Sequence, residues 1–367
     1  MKVAIVHDWI TCPGGAETVI KEMLEVFPQA HIYTSIYNED VMGGYFGDTP
    51  IYTSFINKKP FAKRKHSIYL NYMPKAFESF DLNGYDVVIS SSTSCAKGVI
   101  TDANTLHICY CNTPMRYAWD MYFDYMAGVN PIAKGYIKRS LHKIRIWDVV
   151  SANRVDYFIA NSHNIARRIK KHYRRGSYVI YPPVDTSIGM EKGISDEGYY
   201  LVLSRLVKYK RIDLAVLAFN KLNKPLVVAG EGPELDNLKA MANPNIKFVG
   251  RISDEEKIDY FRRCRAFVFP GEEDFGITPV EAQAFGKPVI AYGKGGALET
   301  VIDGKTGVFF YDQDADNLAD AVDRLEGLEF NPEAIRENAL KFDKGAFKKQ
   351  LEDFVMDKYR IFNTEEW

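Results

Sequence analysis

Short apolar runs alternate with longer amphipathic segments along the first half of the chain. The runs of strand length are KVAIVHDW (2–9), DVVISSS (86–92), TLHICYC (105–111) and YFIANS (157–162). Between them, residues 133–150 and 164–174 repeat their apolar positions with the helical period. Strands that alternate with helices predict a parallel sheet whose faces are covered by helices.

The alternation stops at VIYPPVDTS (179–187) and resumes at YYLVLSRL (199–206). Two prolines and a turn-forming Asp-Thr-Ser mark a domain boundary. We therefore predict an α/β protein with two Rossmann-like doubly wound domains, 1–186 and 187–343, that face a cleft. The segment 344–367 is predicted to form a helix that crosses back to the first domain. Ligands of such sheets bind at the carboxyl ends of the strands.

The composition is that of a globular protein, with 46% hydrophobic and 26% charged residues among 367. No apolar run reaches the roughly 18 residues of a membrane span. The N-terminus reads as a first strand and lacks the pattern of a signal peptide. Five cysteines without a C-x-x-C pair favour a reducing compartment and offer no zinc spacing. These features predict a cytoplasmic protein.

Charge divides the chain into a basic and an acidic half. Residues 1–185 carry 22 Lys and Arg against 16 Asp and Glu, whereas residues 186–367 carry 25 against 32. Basic runs such as KKPFAKRKH (58–66) and KGYIKRSLHKIRIW (134–147) are compatible with solvated helix faces. They also suit an anionic partner, which would be a membrane surface or nucleic acid.

Two glycine- or cation-rich loops are candidates for binding an anion. Gly14 and Gly15, in PGGAE (13–17), lie between the first strand and the first helix, where backbone amides can approach a phosphate. The loop is not a G-x-G-x-x-G fingerprint, so a plain tight turn is the alternative. Arg205 and Lys210 follow the first strand of the second domain, and two cations at a strand end suit a diphosphate. An exposed basic loop is the alternative there.

Three glutamates stand among small and apolar residues in EDFGITPVEAQAFGKPVIAYGKGGALE (273–299). Thr278 followed by Pro279 and Glu281 has the spacing of a capping box at a helix start, which would account for Glu281 structurally. Glu299 lies near a second helix start and would favour its dipole. Glu273 has no such explanation, because it lies in the loop beside the amides of a helix N-terminus.

These residues resemble the retaining glycosyltransferases of family 4, which have the GT-B fold. The family pattern E-x7-E is similar to Glu273 and Glu281, and GG-x-x-E is similar to Gly295, Gly296 and Glu299. The Arg and Lys of the family's donor domain correspond to Arg205 and Lys210. In the first half, the resemblance rests on Gly14, Gly15, ANS (160–162), YPPVD (181–185) and CYCNTPMRYAWD (109–120), the last being similar to O-antigen and exopolysaccharide mannosyltransferases.

The resemblance implies a nucleotide-sugar donor in the second domain, with no cofactor and no metal. Glu273, Arg205 and Lys210 would be catalytic, the carboxylate on sugar hydroxyls and the cations on the leaving diphosphate. Donor binding would fall to Gly14 and Gly15, to Glu281 on the ribose, to backbone at Arg251 and Ile252 on the base, and to the amides of Phe275, Gly276, Ile277 and Thr278. Preorganised cations and amides would stabilise the charge that builds on the diphosphate.

On the acceptor side, the resemblance points to Asn112, Arg116, Trp119 and Asp120. Asn112 stands where related sequences often have His, so a hydrogen-bonding group is kept but a basic one is lost. The implied donor is GDP-mannose, with a UDP-sugar as the alternative. The implied acceptor is a glycan on a polyprenyl diphosphate at the inner face of the membrane, reached by peripheral contact with anionic lipid.

Three other functions remain open at this point. A sugar-nucleotide epimerase or a phosphorylase could share the fold, and a glycan- or nucleic-acid-binding protein could use the basic half. A metal-dependent transferase would need a D-x-D site, for which Asp312 and Asp314 offer the pattern. A simpler explanation of this Asp-rich turn is that Asp316 or a neighbour caps the following helix.

Overall fold

The computed structural model describes residues 1–127, 129–189 and 196–364. It divides into two compact units, one formed by Met1–Tyr181 with Phe347–Trp367 and the other by Pro182–Ala346. Each unit is built on one parallel sheet. The predicted α/β class with two Rossmann-like sheets is confirmed.

The first unit has a seven-stranded sheet in the order β3-β2-β1-β4-β5-β6-β7. Its strands are β1 (Val3–His7), β2 (His31–Thr34), β3 (Ile51–Thr53), β4 (Val87–Ser92), β5 (Leu106–Cys111), β6 (Tyr157–Ala160) and β7 (Tyr178–Val179). Its first six helices are α1 (Gly15–Val26), α2 (Glu39–Met42), α3 (Met73–Glu78), α4 (Tyr122–Ala127), α5 (Pro131–Ala152) and α6 (His163–Tyr173). The two predicted helices are therefore confirmed as α5 and α6.

The second unit has a six-stranded sheet in the order β10-β9-β8-β11-β12-β13. Its strands are β8 (Tyr200–Leu203), β9 (Leu226–Ala229), β10 (Ile246–Gly250), β11 (Ala266–Phe269), β12 (Val289–Tyr292) and β13 (Gly307–Phe310). Its helices are α7 (Ile212–Leu222), α8 (Leu235–Met241), α9 (Asp254–Arg263), α10 (Ile277–Ala284), α11 (Ala297–Thr300), α12 (Ala315–Glu326) and α13 (Pro332–Leu340).

Both sheets are covered on both faces, which explains why their strands are continuous apolar runs. In β1, Val3 and Ile5 join one hydrophobic cluster while Ala4 and Val6 join another on the opposite face. The strand order reverses between β1 and β4 in the first unit and between β8 and β11 in the second. Loops at the carboxyl ends of these four strands therefore occupy the position where doubly wound sheets bind ligands.

The last helix, α14 (Lys344–Thr364), follows the second unit in sequence but packs on the first. Phe347, Leu351 and Val355 are buried at intervals of one helical turn. The ring of Phe347 meets that of Tyr110 edge-on, with centroids 5.9 Å apart. In the part of the chain that the structure describes, no helix is both long and apolar enough to cross a bilayer.

A buried ion pair ties α5 to the loop after β4. Lys97 and Asp148 are 1% and 0% exposed, and the Lys97 ammonium donates to Asp148 Oδ1. Two further donors reach this carboxylate, Trp119 Nε1 at 2.7 Å and Tyr173 Oη at 3.2 Å. Burial lowers the pKa of Lys97, but the Asp148 charge and hydrogen bond outweigh burial and raise it above its ordinary value. Lys97 is therefore charged in the core.

Candidate active site

Loops after β8, β11 and β12 meet at the switch point of the second unit's sheet. Gly271, just after β11, lies against the backbone of Lys210, and a Cβ on this glycine would come within 2.9 Å of the Lys210 carbonyl oxygen. The close approach therefore requires glycine at this position. It places the two loops that carry the predicted cations and Glu273 side by side.

The predicted catalytic residues Lys210 and Glu273 form an ion pair in which both side chains are largely buried, 18% and 14% exposed. Arg205 lies in the same loop as Lys210 but is exposed, and its Nη2 donates to Tyr209 Oη at 2.9 Å. Arg205 makes no ion pair with any carboxylate of the described residues. A cation without a carboxylate partner, beside a paired one, is suited to an anionic ligand.

The paired glycines Gly295 and Gly296 pack against the backbone of the loop that carries Glu273. The Gly296 amide donates to the Glu273 carbonyl at 2.9 Å, and a Cβ on Gly296 would overlap the Phe275 backbone. Gly295 has φ +64°, in the left-handed region that favours glycine. The glycine pair therefore holds the backbone of the Glu273 loop in place, which connects the two sequence motifs physically.

The capping box predicted at Thr278 is wrong. The helix α10 begins at Ile277, with Gly276 as its N-cap at φ +92° and no side-chain cap bond. Gly276, in the left-handed region, caps the helix two residues earlier than Thr278 would, so Glu281 is not at the capping position. Phe275 to Thr278 run from the Glu273 loop into the first turn of α10, where helix amides favour anions.

Glu281 instead pairs with Lys257 of α9, a residue that the sequence analysis missed. Lys257 Nζ lies 3.0 Å from Glu281 Oε1, and the two side chains are 24% and 14% exposed. Burial lowers the pKa of Lys257, but the nearby Glu281 carboxylate outweighs burial and raises it. No local pattern connects two residues 24 positions apart on different helices, so the sequence held no signal for this pair.

The loop that carries Arg251 and Ile252 follows β10, at the edge of the sheet and two strands from β8. Gly250 has φ +72°, and its carbonyl accepts from the Gly230 amide at 2.7 Å. The Arg251 side chain is exposed. The loop thus lies farther along the same carboxyl edge than Arg205 and Lys210.

In the first unit, the glycine loop lies above a buried His7–Glu17 pair. Gly14 is the N-cap of α1 and Gly15 its first residue, and a Cβ on Gly14 would lie 2.9 Å from Glu17 Oε2. His7 Nε2 lies 3.8 Å from Glu17 Oε1, and its Nδ1 donates to the Ser91 carbonyl at 3.0 Å. Burial lowers the pKa of His7, but Glu17 outweighs it and the pKa is raised.

Asn112 directly follows β5, and its side chain contacts Ser91 of β4, the residue that is paired with His7 of β1. Its Nδ2 donates to Ser91 Oγ at 3.0 Å, and its carbonyl accepts from Asn161 Nδ2 at 2.9 Å. His107, which precedes Asn112 on β5, is fully buried, and burial lowers its pKa to about 4. Asn112 and His7 therefore share one strand, β4, as their hydrogen-bonding neighbour.

The other predicted acceptor-side residues have partners inside the first unit. Trp119 stacks on His172 with centroids 4.7 Å apart and donates to Asp148, and Arg116 is half-buried in the same loop. Asp120 pairs with Arg168 and His172. Burial raises the pKa of Asp120, but these partners outweigh it and hold the pKa at about 2.

The D-x-D sequence after β13 has a structural use. Asp314 is the N-cap of α12, and its Oδ1 accepts from the Asn317 amide at 2.8 Å. The explanation by a helix cap is therefore confirmed for Asp314. Asp312 precedes it on the strand-end turn, and its backbone carbonyl accepts from the Asp314 amide at 2.9 Å.

Two family models match the chain, "Glycosyltransferase Family 4" over residues 13–188 and "Glycosyl transferases group 1" over residues 188–342. Together with the two parallel sheets, these matches define a glycosyltransferase of the GT-B fold. The two models together span residues 13–342, so the chain belongs to the family 4 glycosyltransferases.

The chain is similar to mannosyltransferases. It is 34% identical over 151 residues to a GDP-mannose-dependent alpha-(1-6)-phosphatidylinositol monomannoside mannosyltransferase of Mycolicibacterium smegmatis, covering 36% of this chain and 40% of that one. It is 24% identical to the alpha-1,3/1,6-mannosyltransferase ALG2 of Candida glabrata, over 96% of this chain and 92% of that one. Three of the matches span 59%, 40% and 42% of the relative's length, less than two thirds in each case.

The fold also matches a solved structure, Anabaena Alr3699/HepE in complex with UDP-glucose, with a TM-score of 0.72 and 16% identity. That alignment covers 97% of this chain and all of the other. At this identity the match shows the fold alone.

Proposed function

We propose that the protein transfers mannose from GDP-mannose, with retention of configuration and without a divalent metal, to a lipid-linked or polysaccharide acceptor in surface glycan synthesis. The observation that carries the proposal is the ion pair of Lys210 with Glu273 at the switch point of the second sheet, with the exposed Arg205 in the Lys210 loop. The similarity to mannosyltransferases supports the choice of sugar and base.

In this reaction the bond between the anomeric carbon of the sugar and the diphosphate breaks, and its electron pair moves to the diphosphate. An acceptor hydroxyl oxygen bonds to the same carbon on the same face, and its proton passes to the departing diphosphate. Arg205 and Lys210 neutralise the charge that develops there, and amides of Phe275 to Thr278 hold phosphate and sugar oxygens. The two cations supply the compensation that a metal supplies in other transferases. Glu273 binds hydroxyls of the sugar, and its pairing with Lys210 keeps both side chains preorganised.

The remaining donor contacts fall to residues at the rim of the same edge. Glu281, held by Lys257, binds the ribose hydroxyls, and backbone at Arg251 and Ile252 reads the base. Gly14 and Gly15, at the start of α1, are candidates for binding a phosphate through backbone amides. Asn112 contributes a hydrogen bond on the acceptor side. Trp119 and Asp120 hold the conformation of the acceptor-side loop and do not contact the acceptor themselves, because their polar groups bond to residues of the first unit.

A UDP-sugar is the second candidate donor, because the structural relative above was solved with UDP-glucose. The two donors are distinguished by thermal unfolding with GDP, GDP-mannose, UDP and UDP-glucose. We expect the guanine ligands to raise Tm by several degrees, since a ligand at a hundredfold excess over Kd stabilises by about 2.7 kcal/mol. A larger shift with the uracil ligands would favour the second candidate.

The matched variants for this test are Arg205→Gln and Lys208→Gln, which remove one exposed cation each from the same loop. We expect Arg205→Gln to lose most of the nucleotide shift and Lys208→Gln to keep it. If all four ligands leave the Tm of the wild-type protein unchanged at millimolar concentration, the transferase proposal is wrong for these donors.

We further propose peripheral contact with anionic lipid at the inner face of the plasma membrane. The supporting surface, which we call the basic face, comprises residues 58–77 and 131–147, whose sequences contain 11 Lys and Arg and no Asp or Glu. Phe61, Ile68 and Tyr136 are exposed there, at 72%, 61% and 68%. Exposed aromatics among cations are typical of interfacial binding.

Cosedimentation with vesicles containing phosphatidylglycerol tests this contact. We expect binding that weakens as salt rises, because exposed charges are screened beyond a Debye length of about 10 Å at 0.1 M salt. Phe61→Ser with Ile68→Ser should reduce binding, whereas Leu298→Ser, which removes a similarly exposed apolar side chain from the second unit, should not. Equal binding to neutral vesicles at all salt concentrations would contradict the proposal.

A further inference from the structure

A pocket of about 430 Å³ opens in the basic face, between α5 and the 3₁₀ helix His66–Tyr72. Its apolar wall is formed by Tyr72, Pro74, Ile144 and Trp147. The wall is fixed from behind, since Ile144 is buried and Trp147 Nε1 donates to Glu78 at 2.8 Å. The pocket therefore offers a preformed apolar surface in an otherwise cationic region.

Two cations line the same pocket. Arg139 and Lys143 lie one turn apart on α5, both exposed, and neither makes an ion pair or hydrogen bond with any described residue. Like charges at this spacing repel each other by about 0.2–0.5 kcal/mol. No acidic residue lines the pocket to offset them. The two cations have no stabilising partner among the described residues, and they are complementary to a ligand with closely spaced negative charges.

Hydrogen bonds connect the two elements that line the pocket. Asn71 Nδ2 donates to Tyr136 Oη and to Ser140 Oγ, each at 2.9 Å. These bonds link the 3₁₀ helix to α5, so the separation of the cationic and apolar walls is set before any ligand arrives. Preorganisation of this kind reduces the entropic cost of binding.

We propose that this pocket binds the lipid diphosphate of the acceptor. The phosphate oxygens lie at Arg139 and Lys143, and the first carbons of the prenyl chain lie against Tyr72, Ile144 and Trp147. The assignment rests on the function proposed above and names the place of its acceptor lipid. Charge complementarity and the adjoining apolar wall favour an amphiphile with a diphosphate over a free anion, which would leave the apolar wall unused.

Calorimetric titration with farnesyl diphosphate, below its micelle concentration, tests the assignment on the full chain. We expect Arg139→Gln with Lys143→Gln to weaken binding by about tenfold or more, as charge-assisted hydrogen bonds are lost. The matched control, Lys134→Gln with Lys138→Gln, removes the same charge from the same helix but does not line the pocket. It should bind as the wild-type protein does.

Two further ligands and one variant identify what is bound. Inorganic pyrophosphate should bind at least about tenfold more weakly than farnesyl diphosphate, and Tyr72→Ala should weaken only the latter. Equal affinity for pyrophosphate would make the pocket a simple anion site and overturn the proposal. Equal affinity for dihexanoyl phosphatidic acid would make it a general phospholipid site and overturn it as well.

The proposed function is tested separately in the same wild-type preparation by its binding of GDP and UDP. If neither nucleotide binds, the transferase proposal fails whatever the pocket does. If a nucleotide binds but farnesyl diphosphate does not, only the pocket assignment is overturned. It is also overturned if the two double variants lose the same affinity for farnesyl diphosphate.

Discussion

Glu273→Ala should reduce the turnover of sugar transfer by about 10²–10³-fold while nucleotide affinity stays within a few fold of wild type. The carboxylate contacts the sugar in the proposed mode, and loss of a contact made in the transition state lowers kcat more than binding. The measurements are steady-state transfer from the donor sugar and calorimetry with the nucleotide alone. The alanine also removes the carboxylate that neutralises Lys210, so we expect diphosphate binding to be kept although the ion pair that positions Lys210 is lost.

Glu272→Gln is the matched control for this variant, because Glu272 is the adjacent carboxylate in the same loop and is exposed. It should transfer sugar at the wild-type rate. Glu273→Gln separates hydrogen bonding from charge and should retain more activity than Glu273→Ala. Full activity of Glu273→Ala would remove Glu273 from the mechanism and leave the ion pair with Lys210 as a structural contact.

Asp148→Asn should lower the free energy of unfolding of the first unit by about 3–5 kcal/mol, since it leaves the buried Lys97 ammonium without its counter-charge. The amide keeps the size of the side chain, so the loss reports on charge and not on a cavity. Urea unfolding followed by far-UV circular dichroism and by the combined fluorescence of the four tryptophans measures the effect.

The control for this second variant is Asp120→Asn, which breaks the ion pair with Arg168. The Asp120 side chain in that pair is 42% exposed. We expect a loss of about 1 kcal/mol or less there, because solvent screens exposed pairs. Replacing both partners, as Lys97→Met with Asp148→Leu, should recover part of the stability lost by Asp148→Asn. If Asp148→Asn is as stable as the wild-type protein, Lys97 is not a charged group in the folded core.

Much of the fold could be read from the sequence because both sheets are parallel and buried on both faces. Such strands are unbroken apolar runs, and the amphipathic segments between them have the helical period. The strand β3 was not predicted, since three residues with exposed or half-buried side chains carry no period. The 3₁₀ helix beside the pocket was also missed, because it buries none of its residues and leaves no apolar stripe.

Features of the site could be predicted from the sequence only where they depend on one continuous segment of the chain. Strand ends placed Arg205, Lys210 and Glu273 at one edge of a sheet, whereas their direct pairing depends on how two loops pack around Gly271. The capping error at Thr278 arose from a valid local rule that a left-handed Gly276 overrides. Contacts between distant segments, such as Lys257 with Glu281, depend on tertiary packing, which no local pattern encodes.

The position of α14 has a consequence for the order in which the protein can be assembled during synthesis. Its buried side chains Phe347, Leu351 and Val355 complete the core of the first unit, yet they leave the ribosome after every residue of the second unit. A nascent chain that already contains the whole second sheet therefore still exposes an apolar face of the first. The core of the first unit is thus completed only after the second unit has been synthesised.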